Sequence, residues 1–170
     1  MQTFERHFVA ANRWVLILML AAMALIIFAN VALRYLTDES IEWAEEVARQ
    51  LMIWVTFLGA GPVLRYGGHI AVDNLQDALP RRLAFALRWV IALLLLAFFI
   101  FMIWYGALYA QRNQFQTTAA TQISFAYIYA AMPIGGVLLI VHWLLIARGY
   151  LRDRSFASDA HFDANASASL

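Results

Sequence analysis

The sequence predicts an all-α membrane protein: four transmembrane helices with a short interfacial amphipathic helix between the second and third. Three observations carry this. Hydrophobic residues make up 64% of the 170-residue chain, and mean hydropathy is +0.67, far from a soluble domain. The apolar residues gather in long stretches, each near the roughly 20 residues needed to cross about 30 Å of hydrocarbon. Nearly all charge lies between those stretches. The spans read as about 14–35, 41–64, 89–109 and 123–147 of a single membrane domain, 1–154. Residues 155–170, rich in Ala, Ser and Asp, read as a disordered tail.

The first span begins after Arg6 and Arg13. Its 19-residue apolar run exceeds the 7 to 15 residues of a signal-peptide core, so it is expected to be retained. Trp14 and Tyr35 suit its two interfaces, while Asn30 and Arg34 stand one turn apart near its end. Ser40 is the expected N-cap of the second helix, with Glu42 in its first turn. Glu42, Glu45, Glu46 and Arg49 share one face of that helix, and ionisable groups there are costly unless they pair or face a cavity. Two readings remain open. In one, ion pairing with Arg34 clamps the first two helices; in the other, the stripe contacts substrate or ion.

The second span closes on Gly59-Ala60-Gly61-Pro62. Small side chains there favour close helix approach, and Pro62 cannot donate to the Leu58 carbonyl, so a kink or helix end is expected. Gly67-Gly68 breaks the chain. Residues 69–79 then form the amphipathic helix, His69, Asp73, Gln76 and Asp77 on one side and Val72, Leu75 and Leu79 on the other. The third span is plain. Residues 111–122 make a polar connection, and the fourth span carries Pro133-Ile134-Gly135-Gly136, which suggests a bend against a neighbouring helix.

All twelve basic residues are Arg, yet net charge is only +1, which argues against nucleic acid as a partner. Arg6, Arg13, Arg65, Arg81, Arg82, Arg88, Arg148, Arg152 and Arg154 fall on one side of the four-span layout; Arg34, Arg49 and Arg112 fall on the other. The positive-inside rule then puts both termini in the cytoplasm. Cysteine is absent, which removes thiolate metal sites and a cysteine nucleophile. No phosphate loop, zinc spacing or nucleophile motif occurs, so the chain reads as no enzyme, with no catalytic, metal or cofactor residue of its own. An alternative function is a haem-bearing or other membrane anchor of a respiratory complex, with His69 and His142 as two axial ligands.

The order Asn30-Val-Ala-Leu-Arg34-Tyr35, Ser40-Ile-Glu42-Trp43-Ala-Glu45-Glu46, Leu58-Gly59-Ala60 and His69-Ile70-Ala-Val72-Asp73 before Leu79-Pro80 resembles the small membrane subunit of tripartite ATP-independent periplasmic (TRAP) transporters, the DctQ-like family. The likeness covers about residues 10 to 150, including the Pro133–Gly136 turn. It implies an accessory subunit in the bacterial inner membrane, surrounded by lipid and bracing a large permease subunit. A periplasmic binding protein would deliver an organic acid, and the complex would import it by symport on the sodium gradient. Structural or partner-contact roles then fall to Asn30, Arg34, Glu42, Glu45, Glu46, Arg49, Gly59, His69 and Asp73.

Overall fold

A computed structural model describes residues 2–65 and 80–153. The expected interfacial helix, with His69 and Asp73, and the expected disordered tail lie outside the described residues. The elements are α1 (Gln2–Thr37), α2 (Ala44–Arg65), α3 (Arg81–Arg112), the short α4 (Phe125–Tyr129) and α5 (Ala131–Asp153). Among the described residues, four helical stretches are long and apolar enough to cross a membrane, α4 and α5 forming one of them. At 36 residues α1 is about 54 Å long, so it continues well beyond the hydrocarbon.

The helices run up, down, up, down, and α5 is the centre. It packs against α2 and α3, while α1 packs mainly against α2 and reaches α5 only near His142. The spatial order is therefore α1, α2, α5, α3. Leu139, Trp143, Ile146 and Tyr150 repeat along one face of α5 at helical spacing and meet Leu64 of α2 with Ala92, Phe99 and Met102 of α3. The Pro133–Gly136 motif lets α5 nest between its neighbours. A Cβ on Gly135 would come within 2.8 Å of the Phe57 carbonyl oxygen, and one on Gly136 within 2.7 Å of Ile103 Cγ1. Side chains there would push the helices apart.

Local expectations around the second helix need correction. α2 begins at Ala44, after a turn closed by the bond from Ala44 N–H to the Ile41 carbonyl (3.1 Å). Ser40 is therefore not its N-cap and Glu42 precedes the helix; Asn30 Oδ1 instead receives the Ile41 N–H at 2.7 Å and fixes the connection from α1. A cross-helix amide has displaced the local cap. α2 also does not end at Pro62 but continues to Arg65. In the final crossing, regular helical bonding lapses at Ala130, next to Tyr129, whose carbonyl receives no donor from Pro133; the Ala130 backbone stays right-handed helical (φ −60°, ψ −22°).

Candidate functional site: polar ties at the two ends of the helix row

At the acidic end, the stripe from α2 meets the 113–124 connection. That connection is ordered by its own bonds: Thr118 N–H to the Ile123 carbonyl (3.0 Å), Phe125 N–H to the Gln116 carbonyl (2.9 Å) and Ser124 Oγ to the Gln114 carbonyl (2.7 Å). Ser124 also caps α4, accepting from Ala126 N–H at 3.2 Å. The folded tip aims donors at one carboxylate. Ala120 N–H reaches Glu46 Oε2 at 2.8 Å, Thr121 N–H reaches Oε1 at 3.1 Å, and the Thr121 hydroxyl donates to Oε1 as well. Charge-assisted bonds of this kind are about twice as strong as neutral ones. Gln50, one turn along, donates to Oε1 at 3.3 Å.

The expected clamp between Arg34 and the Glu45/Glu46 pair is not what forms. Glu46 is taken by the loop, while Glu45, Arg34 and Arg49 are exposed and join no ion pair among the described residues. Backbone N–H groups, which have no signature in a sequence, have outcompeted the arginine. Beside this tie lies a cleft of about 480 Å³, in which Glu42, Glu45, Glu46 and Arg49 face Ala119, Phe125 and Tyr129. Its chemistry is that of an acceptor-rich mouth with an aromatic wall, suited to cationic groups on a partner surface.

At the arginine-rich end, three helices meet at His142 of α5, which is fully buried. Asn12 Nδ2 of α1 is 3.3 Å from the Leu58 carbonyl of α2 and 3.3 Å from His142 Nε2. The amide nitrogen can only donate, so Nε2 accepts and the ring is neutral, its proton on Nδ1. The Leu58 carbonyl fixes the amide orientation, since a flipped Asn12 would set two oxygens against each other. Leu58 needs that bond because Pro62, one turn later, cannot supply it. The Phe8 ring lies 5.0 Å from the imidazole, and a side chain on Gly61 would run into it. Closer to the end, Arg65 of α2, 8% exposed, pairs with Glu5 of α1.

These contacts sort the predicted residues. Asn30 and Glu46 hold structure; Glu42, Glu45 and Arg49 line the open cleft. A Cβ added at Gly59 would lie 3.8 Å from Leu16, ordinary packing distance, so the tight approach belongs to Gly61. His142 is committed to Asn12 through Nε2, and its ring is walled by Phe8 and Gly61, which does not favour the haem-anchor alternative. Asn12 and the Glu5–Arg65 pair escaped sequence reasoning. The signal available for Asn12 was Pro62, whose missing donor announces a carbonyl in want of a partner.

Residues 23–152 match the family model for tripartite ATP-independent periplasmic transporters, DctQ component. The chain is 27% identical over 128 residues to the sialic acid TRAP transporter small permease protein SiaQ of Vibrio cholerae, covering 74% of this chain and 73% of that protein. It is 31% identical over 128 residues to the ectoine TRAP transporter small permease protein TeaB of Halomonas elongata, covering 74% of this chain and 66% of the relative. A further similarity, 26% over 152 residues, is to the isethionate TRAP transporter permease protein DctMQ of Oleidesulfovibrio alaskensis; it takes in 88% of this chain but only 24% of the larger protein. With a model match over three quarters of its length and four membrane-crossing helices, the chain belongs to the DctQ component family of TRAP transporters, as a multi-pass membrane transport subunit rather than an enzyme.

Proposed function

We propose that this chain is the small bracing subunit of a TRAP transporter in the bacterial inner membrane, with both termini cytoplasmic. It partners a large permease subunit and a periplasmic binding protein, and the complex imports an organic acid on the sodium gradient. The single observation that carries the bracing role is where the buried polar groups are spent. Asn12, Asn30, His142 and Arg65 each bond to another part of the same chain, while His142 Nδ1 and Arg65 Nη1 have no hydrogen-bond partner among the described residues. The mid-helix groove between α2 and α3, about 330 Å³, is lined by apolar residues except Thr56, whose hydroxyl donates to the Met52 carbonyl at 2.8 Å. A carboxylate or sodium ion entering that groove would meet one hydroxyl and no charged side chain.

The orientation follows from the arginine distribution, and it turns the acidic cleft toward the periplasm, where the binding protein docks. The large permease then supplies substrate and ion sites. The substrates named for the relatives are sialic acid, ectoine and isethionate. An organic acid is the class proposed here. The test is transport in reconstituted vesicles. The large subunit, binding protein and this chain together are expected to give sodium-dependent uptake; omission of this chain should abolish it. This chain with the binding protein alone should give none, and transport by that pair would overturn the bracing role.

A further inference from the structure

A second furrow runs along the seam of α1 and α2. Its volume is about 620 Å³, and its walls are Met23, Ile27, Phe28 and Val31 of α1 with Ala48 and Met52 of α2. The single charged group lining it is Arg49, at the acidic end of the molecule. Phe28 is 72% exposed and Met52 53%, so the furrow opens outward. Arg34 lies seven residues beyond Ile27, about two turns along the same side of α1, and so stands above the same mouth. Arg34 and Arg49 are both exposed and without an ion pair among the described residues.

We propose that this furrow holds one glycerophospholipid of the leaflet on the side of the α1–α2 connection, an acyl chain lying along Met23 to Met52 and the phosphate on Arg49, with Arg34 as the second cation. Charge and depth select this occupant. Arg49 is five residues into α2, about 7 Å below its first residue, a depth at which a guanidinium meets phosphate oxygens and can bind them bidentately. The apolar walls begin immediately beneath it, as tail follows headgroup. A partner helix packed over the same seam is the competing occupant, and the cross-linking experiment below separates the two. Glu45, exposed one turn before Arg49 in the adjoining acidic cleft, offers a carboxylate to a headgroup ammonium at the furrow mouth, which favours an ethanolamine over a glycerol headgroup.

Native mass spectrometry of the full chain, purified from vesicles of equal phosphatidylethanolamine and phosphatidylglycerol, tests this directly. The wild type is expected to retain one phospholipid, chiefly phosphatidylethanolamine. Arg49→Gln should lower occupancy on the order of tenfold, the scale of one charge-assisted hydrogen bond. Ala24→Trp, which fills the exposed α1 wall without touching a charge, should do the same. Arg13→Gln, an exposed arginine at the opposite end, should leave occupancy unchanged. Equal occupancy in all four proteins, or equal loss in Arg13→Gln, would mean non-selective lipid and overturn the site. Since the chain has no cysteine, Phe28→Cys gives a unique thiol; a cross-link from it to another protein in the assembled complex, in place of protection by lipid, would also overturn it.

Discussion

Two prolines enter membrane-crossing helices of this chain, and only one interrupts its helix. Pro62 deprives the Leu58 carbonyl of its helical donor, yet α2 runs on to Arg65, because Asn12 of α1 reaches across and donates to that carbonyl. Pro133 deprives Tyr129 in the same way, and there the regular helical bonding lapses for one residue, Ala130, between α4 and α5, although its backbone stays right-handed helical (φ −60°, ψ −22°). In hydrocarbon a bare carbonyl is expensive, so the backbone follows the supply of donors. At Pro62 a side chain from a neighbouring helix provides one. At Pro133 the break sits at the acidic end, beside the ordered connection, where a change of helix geometry releases the same constraint.

The strongest way to break the contrast is Gly61→Leu. The new side chain would enter the space of the His142 ring, which Asn12 and Phe8 already confine. Overpacking of this kind costs about 1–3 kcal/mol, and here it also separates the donor from Leu58. Thermal unfolding of the purified chain in detergent should show the largest fall in midpoint of the three variants.

Asn12→Leu sharpens the comparison. It leaves the Leu58 carbonyl and His142 Nε2 without their donor, at about 1–3 kcal/mol for buried unsatisfied groups. Adding Pro62→Ala returns an N–H to the Leu58 carbonyl, so the double variant should unfold at a higher temperature than Asn12→Leu alone. A double variant no more stable than Asn12→Leu would show that the His142 bond, rather than the proline, is what Asn12 serves.

The smallest effect is expected from Pro133→Ala. The helix is already interrupted before it, and restoring the donor to Tyr129 offsets the packing lost where Pro133 meets Gly106. The change in unfolding midpoint should correspond to less than about 1 kcal/mol.

Spans and their order were legible because hydropathy is a property of each segment by itself. The site was legible only in part. Glu46 stood out as a costly charge, but its partners are N–H groups of Ala120 and Thr121, seventy-odd positions away and invisible as letters. Arg34 looked like the partner because opposite charges at one depth suggest pairing, and an organised loop proved the better acceptor's match. Asn12 and His142 are single polar residues 130 positions apart, and nothing local joins the haem-ligand candidate His142 to Asn12. Gly61 and Pro62 were noticed as small and rigid. What they implied about the first helix required knowing that α1 and α5 both pass α2 at that level.

The meeting of Asn12, Leu58 and His142 also imposes a schedule on synthesis. Chains emerge from the N-terminus onward, so Asn12 and Leu58 enter the membrane while residue 142 is still unmade. Asn12 can satisfy the proline-freed carbonyl with one N–H, but its second N–H has no imidazole to meet until the last helix arrives. The bond that joins the first helix to the last is therefore among the final ones to close, and a chain cut short within α5 would leave the membrane with an unfinished polar contact in its first two helices, a chemical mark distinguishing incomplete copies from complete ones.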